Sequence, residues 1–433
     1  MKASHKSYLL VMVSILIPTA IFLYYSAYLK VDKYKMQNGN RWNDIRNKLE
    51  IDTYFIAVNL FNSSSVLHSF IPELKQLIVA LGTDKCFVSI WENGSSDGTK
   101  VMLKRLQYDL DAMKVKNKIV TTNATIIQLC NEAGLSSCSL AEFANGVRHT
   151  VATTRIKMMA LFRNKPLQPL YNYLEYNGTI YDLFPYISET NVNTINTRFK
   201  TNVFFFNDIW FSYKDAIKLL HTNKMNYDLA CALDFHFINL YDLWVLRDIN
   251  GLVVSPTFPY FWDYNSFWRL CFGQPIRVYS CWNGLVVFDA SVLLTKTNRR
   301  DLNRSKLGIK FRTWNHKEKR APKPKINLTY EEMKIFENSV FGAECPVSEC
   351  QLFSKDLWDA GRTNIYVNPL VKVDYNPYYR LLRQLLAPIT NTVTFIFWVI
   401  GHHSKHLIHH KAPGEAVRPP LEIKCGIDYA KEN

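Results

Sequence analysis

The chain has no C-x-x-C pair, no zinc-finger spacing, no basic heptad helix and no RRM-type aromatic signature. Those absences remove the usual zinc modules and the common nucleic-acid folds. Acidic residues are also in deficit, with Asp and Glu at 37 against Lys and Arg at 52, a formal charge of +15. With nucleic acid set aside as a partner, that balance favours a membrane surface or a phosphorylated small molecule. Wholesale disorder is excluded, because 48% of the 433 residues are hydrophobic. That supports one large α/β domain or two to three small ones.

Residues 8–29 are uncharged and apolar over about the length of a bilayer-spanning helix, interrupted only by Ser14, Pro18, Thr19 and Ser26. Tyr24, Tyr25 and Tyr28 bracket the end of the stretch like an interfacial belt, and it is longer than the apolar core of a cleaved signal. It reads as a transmembrane signal-anchor, with residues 1–7 a cytosolic tail and the charged, Asn-rich residues 30–50 a stem. Lysines flank the span on both sides, so charge counting leaves its orientation open. N-x-S/T patterns at Asn62, Asn123, Asn177, Asn303 and Asn327 favour a luminal location for everything after Lys30. Nine cysteines fit an oxidising lumen, and the spacings Cys130 to Cys138, Cys271 to Cys281 and Cys345 to Cys350 permit local bridges. Cys86, inside an apolar strand, is the expected unpaired thiol.

From residue 54 the pattern turns βαβ: a strand at 54–61, a helix at 69–81 stopped by Gly82, and a strand at 86–91. A Gly-rich turn at 92–99 and a helix at 101–110 follow. Such a turn can present backbone N–H groups and an acid, here Glu92 or Asp97, to a nucleotide. Equally, it can be a tight turn with Asp97 or Thr99 as helix N-cap. Residues 94–98 also fit G-x-S-x-G, which would make Ser96 a hydrolase nucleophile, although that elbow normally follows several strands rather than one. Asn93 begins a further sequon, expected to stay unmodified because a glycan there would block the cleft.

A third strand is expected at 118–122 and a helix at 155–162, ended by Pro166. Arg155 and Arg163 lie about two turns apart, either reaching one region or forming a solvated basic face. Residues 203–206 form an unbroken apolar run, the mark of a strand buried on both faces. It ends on Asn207 and Asp208, where open α/β sheets place ligands. With Trp210 and Phe211 following, Asp208 must face a cleft, take a cation, find donors or cap the turn.

A second apolar segment, 227–235, ends on the carboxylate of Asp234. Asp242, Trp244, Arg247 and Asp248 then make either a sugar platform with hydroxyl acceptors or a set of structural ion pairs. Trp282 and Asn283 suit sugar stacking and hydroxyl hydrogen bonding. A strand-like pair is expected around Pro369, and residues 385–400 read as a buried or membrane-lying segment before a basic, His-rich tail.

Several stretches, in order, resemble glycosyltransferase family 69, the fungal family of cryptococcal α-1,3-mannosyltransferases and capsule-associated proteins. They are the 92–99 turn, Arg155-Ile156 through Arg163-Asn164, Phe206-Asn207-Asp208, residues 231–235, 241–248 and 280–284, and Glu349-Cys350 through Asn368-Pro369. The resemblance implies a type II Golgi (or ER) membrane protein with a GT-A-like α/β fold over 51–380 and a separate C-terminal segment, 381–433. Its implied reaction moves mannose from GDP-mannose to a mannose-containing glycan, α-1,3 and with retention, in cell-wall, capsule or glycoprotein glycan synthesis. A divalent metal is implied, Mn2+ first and Mg2+ as the alternative. Asp208 would hold the metal, with Glu92, Asp97, Arg155, Arg163 and Asn207 around the donor, and Asp234 and Asp242 orienting the acceptor hydroxyl. Trp244, Arg247, Asp248, Trp282 and Asn283 would bind sugar. GT-A enzymes usually carry Asp-x-Asp at this strand end, whereas this chain has Asn207-Asp208. The alternatives are a membrane-anchored carbohydrate-binding protein that kept the fold without the chemistry, and a serine hydrolase using Ser96.

Overall fold

The computed structural model describes residues 51–124, 126–132, 148–175, 183–184, 199–261, 263–294, 308–313 and 347–408. The expected span at 8–29, the stem and the tail beyond 408 lie outside the described residues. Among the described residues no helix is long and apolar enough to cross a membrane.

The chain runs β1 (Ile51–Leu60), α1 (Ser64–Leu81), β2 (Cys86–Glu92), α2 (Thr99–Ala112), β3 (Lys116–Thr121), α3 (Ile126–Glu132) and α4 (Arg148–Glu175). It continues as β4 (Phe199–Phe206), α5 (Tyr213–Leu220), β5 (Leu229–His236), β6 (Asn239–Leu240), α6 (Tyr264–Cys271), β7 (Ile276–Arg277) and β8 (Leu285–Asp289). The last elements are α7 (Glu349–Asp359), β9 (Ile365–Asp374) and α8 (Pro377–Ile408).

One mixed sheet has the order β3-β2-β1-β4-β8-β5-β9-β7, with β6 paired to the end of β5. Strands β3, β2, β1 and β4 are parallel, β8 is antiparallel to both its neighbours, and β9 runs parallel to β5. The C-terminal ends of β1, β2, β4, β5 and β9 therefore share one edge, joined there by the start of β8. Strand order reverses between β1 and β4, the switch point at which open α/β sheets bind ligands.

Both faces of the sheet are covered, which is why β4 does not alternate. Phe204 and Phe206 pack with Phe70 and Leu74 of α1 and Leu106 of α2, while Val203 and Phe205 pack with Leu167 of α4 and Phe353 of α7. Helix α1 supplies its face from Leu67, Phe70, Leu74, Leu77 and Ile78, the spacing of one helical stripe.

Three local expectations are corrected. Helix α4 does not stop at Pro166 but runs through Pro166 and Pro169. A proline in a helix deprives the carbonyl four residues earlier of its donor. The carbonyl of Phe162 is rescued by the Asn59 side-chain amide, at 2.6 Å. Around Pro369 there is one strand rather than two: pairing between β5 and β9 shifts register between Cys231 and Leu233, so Pro369 is never asked for a ladder N–H. Cys281 bridges to Cys231 on β5, not to Cys271, because sheet pairing brings their Cα atoms within 6.2 Å across 50 residues of sequence. Cys86 is a buried free thiol, as are Cys350 and the half-buried Cys271 among the described residues.

The 385–400 segment belongs to α8, a single helix of 32 residues that also crosses the boundary expected at 380. Its inner side is fixed by Arg383, which donates to both carboxylate oxygens of Asp374 at 2.6 and 3.2 Å and lies 4.5 Å above the ring of Phe235. Its outer side leaves Tyr378, Leu381, Leu385, Ile389 and Val393 exposed.

Because Arg383 and Asp374 are both buried, Asp374→Ala should strand an uncompensated guanidinium and lower stability by about 3–5 kcal/mol. Urea unfolding measures it. A loss under about 1 kcal/mol would show that the pair does not hold α8 to the sheet.

Candidate active site at the switch point

The end of β4 separates its two polar residues. Asn207 turns inward: its N–H donates to the Gly284 carbonyl at 2.9 Å and its side-chain oxygen accepts from Arg163 Nη1 at 2.8 Å. Asp208, one position on, points outward and is exposed. Among the described residues its carboxylate has no hydrogen bond to another residue and no ion pair. Surrounding atoms raise its pKa by desolvation, and Arg163 pulls it partly back. Gly284 is required where it stands, with φ +76° and an added Cβ only 2.9 Å from Ile209 and 3.0 Å from Val373.

Behind Asn207 lies the guanidinium of Arg163, a buried residue of α4. Its Nε donates to Glu349 Oε1 at 2.7 Å, and its Cζ lies 5.2 Å from the Trp282 ring and 5.8 Å from Phe205. Desolvation would lower the Arg163 pKa, but neighbouring Cys350 and Glu349 raise it beyond its usual value. The cation is therefore permanent. Glu349 opens α7, whose N-cap Ser348 donates its hydroxyl to Glu349 Oε2 at 3.1 Å.

A second group forms where β5 ends. Asp234 is fully buried, accepting from Asn283 Nδ2 at 2.7 Å, from the Asp242 N–H at 3.2 Å and from the Tyr375 hydroxyl at 3.1 Å. Burial first, then the neighbouring Asp242, raise its pKa. Asp242 is half-buried and raised by the same desolvation, while the Val245 N–H, donating to its Oδ1 at 3.3 Å, and then Arg163 lower it. With Asp234 committed to three donors, Asp242 is the acid of this pair better placed to meet an incoming hydroxyl. Asn283 also bonds the Asp242 carbonyl at 3.3 Å, locking the loop that carries it.

The 92–99 turn is braced by its own acids. Glu92 is buried, with one carboxylate oxygen accepting from the Ser95 N–H and the other from Thr122 N–H at 3.1 Å. Asp97 accepts from Thr99 N–H and Ser64 N–H, both at 3.0 Å, starting α2 and α1 together. Against the upward push of desolvation, these bonds hold its carboxyl far below the ordinary range. Gly98, rather than Asp97 or Thr99, is the N-cap of α2, and Asp97 braces the turn from one position before it. Among the described residues Ser96 Oγ hydrogen-bonds only Asn62, at 3.5 Å, and no imidazole bonds it, so the nucleophile elbow has no base there. Asn93 is buried and bonded to Asn59, leaving no space for a glycan.

The remaining expected residues scatter. Arg155 is exposed, whereas Arg163 on the same helix is buried. Trp244 packs half-buried beside Ile156 and Leu352. Arg247 is spent on the carbonyls of Leu243 and Leu246, and Asp248 on the N–H groups of Asn250 and Leu252. Trp282 is fully buried, so it cannot stack on a sugar; its ring faces Arg163, Phe311 and Phe353 instead. Glu349, Tyr375 and Asn59 complete the arrangement without having been singled out as site residues. Only Glu349 carried a signal, as an acid just after a Ser that starts a helix.

Residues 53–356 match the family model described as Cryptococcal mannosyltransferase 1. A curated relative, Alpha-1,3-mannosyltransferase CMT1 of Cryptococcus neoformans var. neoformans serotype D (strain JEC21 / ATCC MYA-565), is 23% identical over 240 residues. The match covers 52% of this chain and 43% of that protein, so the chain spans less than half the relative's length. Among solved structures, that of S. aureus TarS 1-349 superposes with a TM-score of 0.31 and 11% identity, covering 78% of this chain and 66% of the other, too little to argue from.

Desolvation pushes Asp248 up to about 6, and its second carboxylate oxygen is buried without a partner among the described residues. Between pH 4 and 6 the native state thus keeps a proton that the unfolded chain has released, so this group lowers stability as pH rises through that window. Asp248→Asn keeps the accepting oxygen and should remove about 2–3 kcal/mol of that pH dependence. Unfolding curves from pH 4 to 7 that run parallel for the two proteins would contradict it.

Proposed function

Because the chain belongs to the Cryptococcal mannosyltransferase 1 family, we propose that it is a GT-A-like glycosyltransferase that moves mannose from GDP-mannose to a mannose-containing acceptor glycan. The observation that carries this reading is the placement of Asp208, an exposed carboxylate with no side-chain partner among the described residues, at the strand-order switch and beside the buried Arg163 cation. Sugar transfer from a nucleotide diphosphate creates negative charge on the leaving group, and a fixed cation behind the strand end opposes it.

Among the described residues no group of three or more His, Cys, Asp or Glu side chains could hold a metal ion. A divalent ion, Mn2+ or Mg2+, would then rest on Asp208 with the donor's phosphate oxygens and water, a mode such ions use with nucleotide substrates. When bound, it would neutralise the departing diphosphate. Asp242 would accept a hydrogen bond from the acceptor hydroxyl, and Asp234, through Asn283 and its own backbone contact, would fix Asp242 in place. An α-linked donor giving an α-1,3 product means retention, which asks more of leaving-group stabilisation than of a strong base. Residues 8–29 would anchor the chain in a Golgi or ER membrane with the sheet domain in the lumen, an oxidising setting that the Cys231–Cys281 bridge suits.

Asp208→Asn keeps the shape and removes the charge. Turnover of GDP-mannose should fall by about 10² or more, roughly 3 kcal/mol of transition-state stabilisation, with little change in folding. Rates and melting temperatures of both proteins across a manganese titration, with chelator as zero, test this. Near-wild-type turnover indifferent to chelator would exclude the metal role, and parallel loss of stability and activity would make Asp208 a structural cap.

A further inference from the structure

With Trp282 in the core, the sugar-facing aromatic has to be found elsewhere, and one tyrosine stands out. Tyr241 immediately precedes Asp242 and is 55% exposed, although its ring centre lies 4.7 Å from that of Tyr375. His236 lies 5.8 Å from the Tyr241 ring and 5.0 Å from the Tyr379 ring. Three segments thus contribute rings to one wall: the end of β5, the loop after β6 and the junction of β9 with α8. The wall is tied to the acids. Tyr241 N–H donates to the Asp234 carbonyl at 3.0 Å, and the Tyr375 hydroxyl reaches Asp234 Oδ2.

A large ring held rigidly yet left in water stabilises the fold little, because its apolar area is not removed from solvent. Beside carboxylates it suits a pyranose, whose C–H face lies on the ring while its hydroxyls reach charged acceptors. Asp208 follows the end of β4, and across β8 the ends of β5 and β9 carry the tyrosine wall together with Asp234 and, after β6, Asp242. The Trp210–Asp374 bridge brings the chain after Asp208 up to the base of the wall.

We propose that Tyr241, backed by Tyr375, His236 and Tyr379, is the stacking platform for the acceptor sugar, a hexopyranoside whose reacting hydroxyl meets Asp242. This rests on the transferase reading for its name as acceptor site, while the stacking itself is a binding property.

The test titrates methyl α-mannoside into wild type, Tyr241→Ala and Tyr241→Phe, followed by saturation-transfer NMR, with nucleotide release from GDP-mannose measured in parallel without acceptor. The Ala variant should weaken mannoside binding about 3- to 10-fold, the value of one aromatic contact. The Phe variant should restore it. The melting temperature should not change in either. Equal mannoside affinity in wild type and Tyr241→Ala, or absence of mannoside binding to wild type, would overturn the platform. Wild type that binds mannoside through Tyr241 yet releases no nucleotide would support the platform and remove the transferase reading instead.

Discussion

The buried pair of Arg163 and Glu349 is the interaction on which the site depends. Taking a guanidinium out of water costs several kcal/mol unless it is paired and its donors are used. Here Glu349 lies 186 residues from Arg163 in sequence and Asn207 lies 44 from it, and both close on the same cation. The rings of Trp282, Phe205 and Phe311 enclose it. Helices α4 and α7, the end of β4 and the lead-in to β8 are thereby held in one relation. Asn207 is consumed by this arrangement, and Asp208 is what remains facing solvent.

The same edge shows how polar groups divide between bracing and exposure. Asn59 answers the carbonyl freed by Pro166, one residue from Arg163. Glu92 and Asp97 satisfy the N–H groups of a turn and two helix starts, and Asp234 gathers three donors. Each braced acid makes the remaining unbraced ones more conspicuous. Among the described acids at this edge, Asp208 and, in part, Asp242 are the carboxylates with capacity left for a ligand, and Tyr241 is an open ring beside Asp242.

Much of the framework was legible in sequence because it depends on local pattern. The apolar run at 203–206, the helical stripe of α1 and the strand before the Gly-rich turn all appear where periodicity and turn residues place them. Sequence also placed Asn207 and Asp208 at the end of a buried strand, and they follow β4 as expected. What it missed is non-local. Nothing in the spacing of Cys231 and Cys281 announces a bridge, and Pro166 signals a helix end unless one knows that Asn59 will come to the exposed carbonyl. Trp282 looks like a sugar platform because aromatic and amide on a turn carry the same signal in a core and at a surface; burial alone separates the cases. Tyr375 and Glu349 become site residues only through the register of β9 and the docking of α7.

The central claim is that Asp208 supplies the protein's share of a nucleotide–metal site in front of a fixed cation. Calorimetric titration of GDP into wild type and Asp208→Asn, each with and without Mn2+, tests it without requiring an acceptor or turnover. The account requires Mn2+ to tighten GDP binding to wild type by at least about tenfold, near 1.4 kcal/mol, and to have little effect on the variant. GDP affinity that is the same in all four titrations would contradict it.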